Sequence, residues 1–462
     1  MKFIQYPSLS FWILFIIVSC KTTVVSPDST RIASDRMIVI DKEKVYSSEI
    51  IFNKEVTIYP EAFIATKGNG KIIFTKKVNI IGESQVFDDN VKVVFDKATI
   101  SSLNPAWFGA KGYDEIDDTK AIRKTLQIAR DYPNSINIEI PIGRFMISES
   151  IEIRNENPNS KSINILGKAM SASADAGSCF QWTGAQDKSM LVMSNNCLSH
   201  VEGMDFCALQ GYPMKHNIEL RPFDYQINFK NCSFSMCAGP GSANINLNNG
   251  NNAQVSEIQF ENCVFRGYTK DNKTWETESA IIGGKANTKN FSFLGCSFLG
   301  YTVSAINIDI SDILRVEHCT FALNEIDVTC MLCNTYASSN YSEQSRSFFK
   351  NGISANIAFT SLMNNYYDGS EVDDYFIRDG SGSLFLLNNN FGGSGGTDSV
   401  NKIKWNDNIL SSIYSIGNFY RNNNKISNPF QTRNLRDQIL SNITHGDKIG
   451  TDGDHVKLIQ GN

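Results

Sequence analysis

Three carboxylates are the leading candidates for chemistry in this chain: Asp309, Glu325 and Asp327, with the Asn307 amide beside them. Within residues 305–310, Ile306, Ile308 and Ile310 alternate, which predicts a strand with these three turned inward and Asn307 and Asp309 turned outward. Ile326 and Val328 predict the same outward setting for Glu325 and Asp327. If the two strands stack, the carboxylates come within roughly 5–7 Å of one another. That separation suits acid–base hydrolysis of a glycosidic bond, or a divalent cation such as calcium. A solvated outer face accounts for the same residues without chemistry, because exposed acids are routine.

A second group suits sugar binding. Phe265-Arg266-Gly267-Tyr268 and Phe298-Leu299-Gly300-Tyr301 end two units alike, which predicts Tyr268 near Tyr301, and the insertion after Tyr268 carries Trp275. Exposed Tyr and Trp stack on the apolar faces of sugars, and Arg pairs with carboxylate or sulfate. Arg266, Tyr268, Trp275, Tyr301 and Asn307 are therefore the candidate substrate-binding residues. The alternative is that these rings merely cover an edge of the fold.

The elements that must position these residues are repeats. Ile227-x-Phe229-x-Asn231-Cys232-Ser233-Phe234 recurs as Ile258-x-Phe260-x-Asn262-Cys263-Val264-Phe265. It recurs again as Phe291-x-Phe293-x-Gly295-Cys296-Ser297-Phe298 and as Leu314-x-Val316-x-His318-Cys319-Thr320-Phe321. Weaker copies end at Phe206, Tyr367, Phe391 and Tyr420. The 46 residues from Phe321 to Tyr367 read as two units, one of them degenerate. A short period with variable insertions predicts a solenoid. In it, Phe234, Phe265, Phe298 and Phe321 form an aromatic stack in the bore, and the four cysteines serve as small buried hydrophobes, not metal ligands. Asn231, Asn262, Asn364 and Asn388 should line up at a corner, bonding one another and nearby backbone.

One segment reaches beyond physics to a family. Residues 104–112 read Asn-Pro-Ala-Trp-Phe-Gly-Ala-Lys-Gly; Asp117-Asp118-Thr119, a helical pattern and Ile140-Pro141-Ile142-Gly143-Arg144-Phe145 follow. Ala121, Ile122, Thr125, Leu126 and Ala129 fall at helical spacing, Asp118 or Thr119 can cap the helix, and Pro133 and Asn134 can stop it. This order of parts resembles the entry segment of the pectate-lyase-like superfamily. The resemblance implies an all-β, right-handed single-stranded parallel β-helix with a short N-terminal capping helix, preceded by a small β-rich lead-in. Polygalacturonases of that fold carry Asn-x-Asp-x-x-Asp, and Asn307-Ile308-Asp309-Ile310-Ser311-Asp312 keeps that spacing without the accompanying Asp-Asp and Gly-His-Gly elements.

Lys2, the apolar run 11–18 and Ile17-Val18-Ser19-Cys20 have the form of a bacterial lipoprotein signal. Cys20 is then the lipidated N-terminus and the membrane is reached through lipid alone. The chain divides into a signal at 1–19, a linker and β-rich lead-in at 20–103, the β-helix at 104–425 and a polar cap or tail at 426–462. A net charge of −5 argues against a nucleic-acid partner, whose phosphates need a basic surface. The expectation is an envelope lipoprotein, on the outer membrane, acting on a polysaccharide as a lyase or glycoside hydrolase. The alternative is a non-catalytic glycan-binding or structural β-helix protein.

Overall fold

The computed structural model describes residues 32–34 and 37–420, interrupted at 69, 156–160, 171–175, 248–254, 272–273, 285–288, 353–357, 370–374, 394–402 and 407–412, and then short strands at 430–432, 448–449 and 454–455. The proposed signal, Cys20, the Asn248–Asn252 run and most of the polar tail lie outside the described residues.

From residue 136 onward every coil contributes strands to three faces. The first face runs Ile136–Ile140, Ile163–Gly167, His200–Glu202 and onward, all in parallel register. The second is a separate sheet that begins at Gly143–Ile147 and Ser178–Trp182. The third begins at Ile151–Arg154 and Ser189–Ser194. The long strand Ser304–Glu317 turns from the third face to the first without a break, so these two faces form one sheet, of 22 strands among the described residues. This is a single-stranded parallel β-helix, all-β among the described residues apart from one short α-helix and a 3-10 turn, in the right-handed sense that parallel crossovers adopt.

The bore fills as the repeat predicts. Phe234, Phe265, Phe298 and Phe321 stack with centroids 5.0, 4.9 and 4.9 Å apart. Phe229, Phe260 and Phe293 form a second stack at 5.0 and 5.1 Å. Cys232, Cys263, Cys296 and Cys319 are buried free thiols in the core, as expected of small hydrophobes. Cys330 and Cys333 form a disulfide.

The asparagine ladder is shifted by one residue from its expected position. Asn231, Asn262, Asn364 and Asn388 hold φ of 50–55°, the left-handed geometry that turns the corner, and Asn364 and Asn388 are exposed. The hydrogen-bonded column is instead Asn340, Asn365, Asn389 and Asn418, the positions that continue the cysteine column. Each amide Nδ2 donates to the next Oδ1, at 2.9, 3.0 and 2.9 Å.

Two further expectations change. The lead-in, which showed no repeat, is coiled in the same manner: Ile50–Phe52, Lys71–Phe74 and Lys92–Phe95 pair in parallel, and Phe52, Phe74 and Phe95 stack at 5.1 and 5.3 Å. It continues into the main shaft through backbone bonds from Val78 to Thr99 and from Phe87 to Trp107. The helix Thr119–Asp131 packs on both parts, touching strands Lys92–Phe95, Ile136–Ile140 and Ile151–Arg154. Its N-terminus is tied not by Asp118 but by Asp117, whose Oδ1 accepts from the Thr119 N–H at 3.1 Å. Asp118 instead accepts from the Lys111 and Met146 N–H groups at 2.7 and 3.1 Å, fastening the entry loop to the second face.

Removing one ring from the stack tests the core. Phe298→Ala should lower unfolding free energy by about 3–5 kcal/mol, the usual result of a buried aromatic cavity. Chemical denaturation would check it, and a loss below about 1 kcal/mol would contradict the stack as the main apolar support.

Candidate functional site

The degenerate unit shapes this region. Its residues Ser339-Asn340-Tyr341-Ser342 occupy the positions of His318-Cys319-Thr320-Phe321, so Ser342 stands where the aromatic stack requires Phe. The gap in the bore is filled by a carboxylate. Asp327 is fully buried; its oxygens accept from Asn324 Nδ2 at 2.9 Å and from the hydroxyls of Ser342 and Ser345. Desolvation outweighs these donors and pushes its pKa up to about 7.

Asp327 therefore does not point outward, and the expected carboxylate patch is not assembled. The register pairs Ile306 with Val328 and Ile308 with Cys330, which places Asp309 beside Met331. Four residues of strand, roughly 13 Å, separate that position from Asp327. The alternation misled because residues 323–327 turn a corner between the second and third faces, where a two-residue period does not hold. Glu325 lies half-buried at this corner, bonded to Arg378 Nη1 at 2.5 Å and facing Arg346 Nη1 at 3.5 Å. Asn307 and Asp309 are half-buried on the third face.

The expected aromatic pair is also internal. Tyr301 is 1% exposed and its hydroxyl donates to Asn244 Oδ1 at 2.6 Å; Tyr268 is 6% exposed. Trp275 is half-buried, its indole lying so close over the Gly300 Cα that a Cβ there would meet the ring at 2.4 Å. These three rings cover the coil edge. Arg266 is exposed and belongs to an outward column of the second face that runs Arg266, Leu299, Ala322, Glu343, Asp368.

That column ends in a constellation the sequence reading missed. Tyr341 and Tyr366 stack on the outward second face with centroids 5.1 Å apart and planes 4° from parallel, and Tyr341 is 42% exposed. Glu343 and Asp368 are paired in register beside them, about one strand spacing of 4.8 Å apart along the backbone. The Tyr341 hydroxyl donates to Glu343 Oε2 at 3.2 Å. Glu325, Arg346 and Arg378 border the site around the next corner. An exposed aromatic platform beside two carboxylates can hold a sugar ring by its C–H face and bracket its glycosidic bond. The signal was present in the sequence: Asn340-Tyr341-Ser342-Glu343 and Asn365-Tyr366-Tyr367-Asp368 recur 25 residues apart.

A large cleft lies elsewhere, between the strand Lys92–Phe95 and the helix. Its Lys124 amine is already held by the Asp88 and Asp89 carbonyls at 2.8 and 3.0 Å, and the cleft serves the junction of lead-in and shaft.

No protein-family model matches the sequence, and no curated protein matches it significantly. Solved structures do. The Acinetobacter phage vb_AbaP_AS12 gp42 tailspike is similar at 10% identity and TM-score 0.48, over 77% of this chain and 64% of its own. A DFA-IIIase from Arthrobacter chlorophenolicus A6 is similar at 10% identity and TM-score 0.46, over 76% and 93%. The mannuronan C-5 epimerase AlgE4 A-module of Azotobacter vinelandii is similar at 9% identity and TM-score 0.43, over 75% and 91%. This chain thus spans less than two thirds of the tailspike's length.

The buried Asp327 gives a pH test. Its folded pKa of about 7 lies above the ordinary 3.8, so the folded state holds more protons between these values and stability falls as pH rises through them. Asp118 and Asp224, also raised to about 7, act in the same sense; His216, lowered to about 4, acts in the opposite one. The difference between wild type and Asp327→Asn isolates Asp327. The variant should gain thermal stability relative to wild type between pH 5 and pH 8; a pH-independent difference would contradict a proton held at Asp327.

Proposed function

We propose that this protein binds a polysaccharide along the outward second face and hydrolyses it at the Glu343–Asp368 pair. The observation that carries the reading is the parallel Tyr341–Tyr366 stack, with Tyr341 exposed and Tyr366 half-buried, set beside two carboxylates one coil apart. Tyr341 and Tyr366 seat a sugar ring, while one carboxyl group protonates the leaving oxygen and the other acts as nucleophile or base. Side chains paired in register one strand spacing apart, about 4.8 Å along the backbone, can bring their carboxyl groups into the range of the retaining arrangement. Arg266, about three coil steps or roughly 14 Å away in the same column, meets an acidic group farther along the glycan. Glu325, held by Arg346 and Arg378, forms the charged edge of the groove, and Asn307 and Asp309 would meet glycan that rounds the corner. The apolar run 11–18 and Ile17-Val18-Ser19-Cys20 support a lipid-anchored protein of the bacterial envelope as the setting for this activity. Tailspikes, a DFA-IIIase and an epimerase among the similar structures are in keeping with a carbohydrate-directed role.

Incubation with acidic and neutral glycans, with and without calcium, tests the reaction. New reducing ends without ultraviolet-absorbing unsaturated ends support hydrolysis, whereas unsaturated ends would identify a lyase. Glu343→Gln and Asp368→Asn should each lower turnover by about 10²-fold or more. Tyr341→Ala should chiefly raise KM. Full turnover in both amide variants excludes the pair, and retention without any product supports the glycan-binding alternative. Separately, Cys20→Ser should abolish fatty-acid labelling in the producing cell; undiminished labelling would exclude Cys20 as the anchor.

A further inference from the structure

At the other end of the same outward face, three metal-ligating side chains converge. Cys179 and Asp205 are opposite each other on adjacent strands, and Cys207 lies two residues beyond Asp205. One ligand atom from each lies within 4.8 Å of the others, and the two Sγ atoms are 3.2 Å apart. Cys179 is fully buried, Asp205 is 8% exposed and Cys207 is half-buried, so Cys207 is the most accessible of the three. Outward positions elsewhere on this face carry Ser233, Val264, Ser297 and Thr320, so buried thiols are not what the repeat demands here.

We propose that Cys179, Cys207 and Asp205 bind a zinc-class divalent cation that clips two successive coils together. Thiolate sulfur selects borderline and soft cations such as Zn²⁺ over Ca²⁺ or Mg²⁺. Tetrahedral zinc with Zn–S of about 2.3 Å holds its sulfurs roughly 3.7 Å apart, so the two sulfurs would part by about 0.5 Å from their 3.2 Å separation to take the ion. Asp205 receives the Ser233 hydroxyl on one side, which orients its carboxylate. Gln181 Oε1 is buried without a hydrogen-bond partner, while its Nε2 lies 3.9 Å from Cys207 Sγ. That oxygen, or a water it holds, supplies the fourth ligand. Arg144, registered opposite Cys179 on the preceding strand, offsets the excess negative charge of two thiolates and a carboxylate on a divalent ion. A direct disulfide fits less well. The cysteines are diagonal across the ladder, about 8 Å apart at Cα, beyond the 4.4–6.8 Å that a disulfide spans.

The test uses the full-length protein, reduced and freed of metal, with Co²⁺ and Zn²⁺ as probes. The expected result is one equivalent of Co²⁺ bound with thiolate-to-cobalt absorption and tetrahedral visible bands, displaced by Zn²⁺. Cys179→Ser and Cys207→Ser should each weaken Zn²⁺ binding by about 100-fold or more, and Asp205→Asn by about 10-fold or more. Cys296→Ser, in the bore, should leave it unchanged. If Cys179→Ser fails to fold, the wild-type cobalt spectrum and Asp205→Asn still decide. Absence of thiolate–cobalt absorption in reduced wild type overturns the proposal, as does an unaltered spectrum in folded Cys207→Ser. Isolation of a Cys179–Cys207 disulfide that takes up no metal after reduction overturns it too.

Discussion

The backbone ladder between successive coils is the constraint on which this molecule depends. Parallel strands stacked at about 4.8 Å place each residue directly above its counterpart one coil earlier. A side chain at a bore position must therefore tolerate its own kind as a neighbour. Flat phenyl rings do so by stacking, small thiols by packing, and amides by donating to the next amide. From Cys319 to Asn340 the chain exchanges one of these solutions for another at the same position. The Asn340–Asn418 column satisfies buried polar groups as a series, because each of Asn365, Asn389 and Asn418 accepts at Oδ1 from both the backbone N–H and the amide of the member before it. Loss of a middle member would strand a buried donor and acceptor together.

The same rule explains the polar layer near the candidate site. Ser342 interrupts the phenyl stack and leaves room that Asp327 fills, so the second face between Thr320–Ala322 and Tyr366–Gly369 rests partly on hydrogen bonds. Tyr341 and Glu343 flank Ser342 on the same strand and point the other way. The bore defect and the outward aromatic platform thus occupy one three-residue strand, Tyr341–Glu343. A hydrogen-bonded carboxyl under this strand fixes its position more narrowly than apolar packing would, because its partners are directional.

What the sequence determined by itself was the class of fold and the contents of the bore. Repeats ending at Phe234, Phe265, Phe298 and Phe321 can be superposed only in a coil, and periodic side chains must then stack. The coiling of the lead-in was not legible, because its strands are too short to announce a repeat, and only the register aligns Phe52, Phe74 and Phe95. Tertiary structure alone decided which polar residues meet outside. Asp309 and Asp327 read as neighbours by alternation, yet the corner at 323–327 breaks the period and the ladder sets the true pairing. Tyr268 and Tyr301 read as exposed because their units end alike, but the corner turns both rings inward. Glu343 and Asp368 meet because a degenerate unit keeps its place in the ladder while its sequence no longer displays it. Outward contacts depend on register and corner geometry, which local pattern does not encode, whereas inward ones follow from hydrophobic periodicity, which it does.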